Sequence, residues 1–193
     1  MSSENPYHRL LVGAAERVAE WTPGQMASTK NEDAYLHWQP SNEWVYPRMA
    51  NMLLVGSYAY VADDGQMSGA PELLDSCTAF LDYLVDAGVE DRWFHNQPGM
   101  GDPNIDRFTL LPLLETYFML RDHLPGELRE RIERRVCGVF KVQRNEYGKH
   151  FKNDPSTDYP NMDVYYCLIM YYAHRMTGRD QYLDEHDRFL DRL

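Results

Sequence analysis

Two aspartates stand at equivalent places in this chain. Asp106 follows Pro103-Asn104-Ile105 and Asp163 follows Pro160-Asn161-Met162, so each belongs to a Pro-Asn-x-Asp start of an apolar stretch. Hydrolysis of a glycosidic bond needs two carboxyl groups, an acid and a base or nucleophile, about 5 to 9.5 Å apart. First-turn positions on neighbouring helices, whose axes lie roughly 8–10 Å apart, supply such a spacing. The structural alternative is capping. Asn104 and Asn161 read as N-caps, and an acid in the turn that follows suits the positive end of a helix.

A second group lies between residues 90 and 104, where Trp93, His95 and Asn96 precede Gly99-Met100-Gly101. His95 is suited to proton transfer and Asn96 to holding a developing negative charge. Hydrogen bonds that merely fix a loop are the plain alternative for both. Tyr159 offers a phenol to the same chemistry or a ring to the core. Trp38 and Trp93 have the flat apolar faces that stack on the C–H face of a sugar ring, and they serve equally as core anchors. Arg48 and Arg107 fall in the first turns of apolar helices, where a guanidinium needs a carboxylate partner. That partner is a substrate carboxylate, or Glu43, Asp106 or Glu115. Lys149, with His150 and Lys152, forms a small basic spot in an acidic chain.

The chain as a whole limits what these residues act on. Its 193 residues carry 30 acidic and 19 basic side chains, a formal charge of -11. That balance excludes a general nucleic-acid binder, which displaces counterions with a cationic surface, and a polybasic membrane-surface module. No run approaches the roughly 20 apolar residues that span a bilayer. The first residues lack the basic and apolar regions of a signal peptide. A cytoplasmic location is the default, with a periplasmic or secreted one if a leader has been removed. No cofactor is expected. HExxH, CxxC and EF-hand patterns are absent, and no strand precedes Gly99-Met100-Gly101 to make it a dinucleotide motif. A metal held by distant loops stays open. Cys77, Cys137 and Cys167 read as reduced, buried thiols. Glu185-His186-Asp187 reads as surface charge.

The elements that must position these groups are helices, because the apolar period is helical almost throughout. Seven are expected, at about 6–20, 42–62, 70–87, 105–123, 126–144, 162–177 and from 179 onward. The first, third and fifth are amphipathic. The second, fourth and sixth are apolar around most of their circumference, which requires burial on both sides. Links into the apolar helices are long, about 21–41, 88–104 and 145–161; most of the others are short. Long links in compact domains are usually functional or disordered, and the Trp, His, Asn, Asp and Gly content of these favours function.

This alternation, the long links on one rim, and the run Tyr172-Ala173-His174-Arg175-Met176-Thr177-Gly178-Arg179-Asp180-Gln181-Tyr182-Leu183 resemble the (α/α) toroids of carbohydrate-active enzymes. Residues 93–122 are most similar to the helical domain of heparinase II/III-type polysaccharide lyases. The resemblance implies an all-α fold of alternating outer and inner antiparallel helices forming part of an (α/α) toroid. Such toroids have more hairpins than this length supplies, so residues 1–193 are expected to be one helical domain, the N-terminal part of a longer enzyme. The implied activity is a polysaccharide lyase that cleaves a uronate-containing glycan by β-elimination. His95, Asn96, Tyr159, Asp106 and Asp163 are then the candidate catalytic groups. Trp38, Trp93, Arg48, Arg107, Asn104, Asn161 and Lys149 are the candidate substrate contacts. A glycoside hydrolase resembling unsaturated glucuronyl hydrolases, using Asp106 and Asp163, is the alternative on the same toroid. A non-catalytic helical scaffold is the second. The expected partner is an oligo- or polysaccharide, with no nucleic acid and no membrane. Uncovered inner-helix surface also invites self-association, or cover by the rest of a longer chain.

Overall fold

The computed structural model describes Arg9 and residues 12–17, 45–87, 104–153 and 160–191. All regular structure among them is α-helical. After a helical segment at 12–17 come α1 (Val45–Val61), α2 (Pro71–Asp86), α3 (Asn104–Leu120), α4 (Gly126–Asn153), α5 (Pro160–Thr177) and α6 (Asp180–Leu190). No described helix is long and apolar enough to cross a membrane.

The helices form two layers. α1 packs on α3 and α3 on α5, making an inner row. α2 lies behind α1, α6 lies behind α5, and α4 contacts both α2 and α5. Two ring pairs fix the direction of the row. Phe108 and Tyr165, near the starts of α3 and α5, meet edge to face with centroids 5.1 Å apart. Phe118 and Tyr172, near their ends, stack at 5.4 Å and 27°. The two helices therefore run the same way. Tyr60 and His123, at the far ends of α1 and α3, also meet at 5.2 Å. The amphipathic helices return the chain between these parallel runs.

α3 is covered on all sides because its side chains are apolar nearly all round, and α1 and α5 bury the faces they turn to it. Leu53, Leu110, Leu113, Leu114, Ile169 and Met170 are fully buried, and the outer layer adds Leu81, Leu84, Ile132, Val136 and Phe140. Each such large side chain contributes about 1.5–3 kcal/mol relative to exposure. Gly56 lets α2 approach α1, since a Cβ there would stand 3.3 Å from Cys77 Sγ. The α5–α6 turn shows why Thr177-Gly178 stands there. Gly178 has φ 65, the left-handed conformation that ends helices, and its N–H donates to His174 O at 2.8 Å. The Thr177 hydroxyl donates back to Ala173 O at 2.7 Å.

Several expectations need correction. α4 runs on to Asn153, so Lys149 sits on a helix and the expected link 145–161 is mostly helical. Asn161 is not a cap: α5 begins at Pro160, whose fixed φ suits the first helical position. Asn104 likewise falls inside α3 as its first residue. α5 is not buried on both sides, for Val164, Leu168 and Tyr171 are 43%, 36% and 39% exposed along one stripe. α5 ends the inner row among the described residues, so that stripe meets no further helix of the row. Cys137 is only half-buried. Glu185 and His186 are not plain surface charge either. Glu185 is buried, accepting from Tyr166 Oη at 3.1 Å and pairing with Arg188 at 2.6 Å. His186 Nδ1 lies 2.9 Å from Cys167 O and joins α6 to α5.

Tyr166 is the test of that seam. Tyr166→Phe removes the phenol donor from buried Glu185, and the expected cost is about 1–3 kcal/mol. Urea unfolding checks it, as a lower midpoint with an unchanged slope.

Candidate functional site

The parallel run of α3 and α5 puts their first turns side by side. Asp106 stands two residues before Phe108 and Asp163 two before Tyr165, and those two rings touch. The two aspartates thus hold matching positions on adjacent inner helices, as the sequence spacing predicts. Both are buried, at 0% and 3% exposure, as is Arg107 at 3%. Arg107 crosses to the outer layer, where its Nη1 donates to Gln143 Oε1 at 3.0 Å. Its partner there is a neutral amide on α4, which the sequence reading did not foresee. An acid in the first turn also complements the helix dipole.

Other expected site residues fare differently. Arg48 lies in the first turn of α1 but is exposed, so it is not the buried guanidinium the sequence implies. Its neighbours Tyr46, Pro47 and Met49 turn inward, which sends Arg48 to the solvent side of α1. Trp38, Trp93, His95, Asn96 and Tyr159 lie outside the described residues. The side chains of Asn104, Lys149 and Asn161 do so as well, although their backbones belong to α3, α4 and α5.

A cavity of about 760 Å³ opens elsewhere, against the C-terminal halves of the inner row. α1 supplies Leu54, Val55 and Tyr58, and α3 supplies Glu115, Phe118 and Met119. α5 supplies Tyr172 and Arg175, and the segment at 12–17 closes one side with Ala14 and Ala15. That segment is held where Glu16 accepts from the Gln66 N–H and Val12 is buried. Asp106 and Glu115 are nine residues apart on α3, which places the cavity about 13 Å along the helix from the first turn.

Among the described residues the cavity has mainly apolar walls and two charged side chains. Burial raises the Glu115 carboxyl above its ordinary pKa. The Tyr172 phenol is pushed up too, first by burial and then by the Glu115 charge, with Arg175 opposing. The Arg175 guanidinium lies 4.5 Å from the Phe118 ring centroid and 5.9 Å from that of Tyr171. Cation–π attraction holds it at the cavity mouth. The cysteines are not poised as nucleophiles: burial raises all three thiols, that of Cys77 to about 11. Among the described residues no group of three or more His, Cys, Asp or Glu side chains is arranged to hold a metal ion.

Sequence reasoning treated Glu115 only as a possible partner for arginine, and Arg175 only as part of a turn. One signal was visible. Glu115 is the sole charged residue between Arg107 and Arg121, in a helix otherwise rich in leucine and aromatic rings.

Glu115 also makes stability depend on pH. Its folded pKa is raised, so the protonated form favours folding, and that contribution is lost as pH rises through the folded pKa. Glu115→Gln should therefore be more stable than the parent at neutral pH. The gap should close as pH falls below the ordinary glutamate range. Denaturant midpoints measured across acidic and neutral pH check the sign.

No protein-family model, no curated protein and no solved structure matches this chain.

Proposed function

We propose that the chain is the helical part of a carbohydrate-active enzyme of the (α/α) toroid class. In this reading it is most like polysaccharide lyases of the heparinase II/III type and acts on a uronate-containing glycan. The observation that carries the reading is the parallel inner row with amphipathic helices behind it. A row of that kind brings the starts of its helices to one end. The segments that carry Trp93, His95 and Asn96, and Tyr159, lead in sequence directly into those starts.

The chemistry asked of that rim is β-elimination. A base removes the C5 proton of the uronate, the C4–O bond breaks, and its electron pair leaves with the oxygen. A double bond forms between C4 and C5, and an acid returns a proton to the leaving oxygen. Carboxylate neutralisation makes the C5 proton removable, and Asn96 or a cation supplies it. His95 and Tyr159 are the groups of suitable type for the proton transfers.

The burial of Asp106 and Asp163 weighs against the hydrolase alternative. Carboxyl groups buried to 0% and 3% exposure do not reach a glycosidic oxygen without an opening of the helix starts. In the lyase reading the two aspartates serve the helix termini, and Arg107 ties α3 to α4.

The test is turnover of uronate polymers followed by the ultraviolet absorbance of the new C4–C5 double bond. His95→Ala is expected to lower that rate about 100-fold or more, the usual contribution of a positioned proton-transfer group. Reducing ends without the absorbance would replace the lyase with the hydrolase. Loss of neither activity in His95→Ala and Asp106→Asn would remove both.

A further inference from the structure

The cavity on the C-terminal halves of α1, α3 and α5 does not resemble a glycan site. Its volume of about 760 Å³ fits one small molecule. A sugar ring carries a hydroxyl on nearly every carbon, and each needs a partner once buried. Among the described residues the lining offers the phenols of Tyr58 and Tyr172, the Glu115 carboxyl and the Arg175 guanidinium. The remaining surface is aliphatic or aromatic: Leu54, Val55, Phe118, Met119 and two alanines.

We propose that this cavity binds a small apolar monocarboxylate, with its hydrocarbon body between α1 and α3 and its carboxylate on Arg175. Three observations carry the assignment. The walls are of a kind that gains by covering hydrocarbon. Arg175, the one cation among the described lining residues, is exposed and held over the Phe118 ring at 4.5 Å. No carboxylate among the described residues forms an ion pair with that guanidinium, so with respect to them its fork of donors is open to a bidentate acid. This site is separate from the rim of helix starts and does not rest on the glycan reading.

Isothermal titration of the full chain with dodecanoate, and with dodecanol as the uncharged control, tests the proposal. Saturable dodecanoate binding is expected. Arg175→Met removes a charge from an exposed position and should weaken dodecanoate roughly 10- to 100-fold, the worth of a charge-assisted pair. Dodecanol binding should stay unchanged in that variant, which also shows that the cavity remains folded. Leu54→Trp fills the cavity and should abolish binding of both, with parental helicity by circular dichroism. The assignment is overturned if the parent chain binds no dodecanoate. It is equally overturned if Arg175→Met affects acid and alcohol alike, or if glucuronate binds and is lost in Leu54→Trp while dodecanoate does not bind.

Discussion

Three helices that are apolar around most of their circumference cannot each face water, and that constraint organises this molecule. α1, α3 and α5 solve it by lying side by side and letting the amphipathic helices cover one flank. Fully buried Leu53, Leu113, Leu114, Ile169 and Met170 are the contacts of this arrangement. Because each amphipathic helix returns the chain, the three inner helices run the same way. Their starts and their ends are thereby sorted to opposite poles. The rim carrying Asp106 and Asp163 and the cavity carrying Glu115 and Arg175 are both consequences of that sorting.

Hydrophobic packing alone would let inner and outer helices slide. Polar groups buried at the seams oppose this, because a slip leaves them without partners. Arg107 to Gln143 joins α3 to α4, and Tyr117 to Glu133 joins the same pair further along. Arg135 donates to Ala87 O at 3.0 Å and closes the end of α2 against α4. Tyr166 to Glu185 joins α5 to α6. The exposed pairs of Arg131 with Asp82 and Asp86 add little, since solvent screens them.

The helical class, the division into two kinds of helix and their order were legible in the sequence, because the apolar period reports directly which faces must be covered. Helix ends were less so. Asn145 to Asn153 is polar enough to read as a link, yet it continues α4, since it holds no proline and Gly148 costs only about 1 kcal/mol. Burial of polar groups was the least legible. Glu185-His186-Asp187 reads as solvated until Tyr166 and Cys167 are placed opposite, and those lie 19 residues earlier in the chain. Asp106 and Asp163 were found from their matched spacing, but spacing carries no information about exposure. Cavities are harder still. The described walls of this one come from four separate segments, and each of those residues has an ordinary structural reason to be present.

Arg175 shows how such a reason conceals a site. It stands in the last turn of α5, where a cation is favoured by the negative end of the helix dipole. Its guanidinium rests on Phe118, whose ring also stacks with Tyr172. Both interactions fix the position of the charge, and neither consumes its hydrogen-bonding edge, because the ring meets the guanidinium through its π face. A cation held in this way has lost much of its side-chain entropy before any ligand arrives, so a carboxylate that meets it orders less on binding. The same packing that makes Arg175 read as a structural residue of the α5–α6 hairpin is what prepares it to receive an anion at the mouth of the cavity.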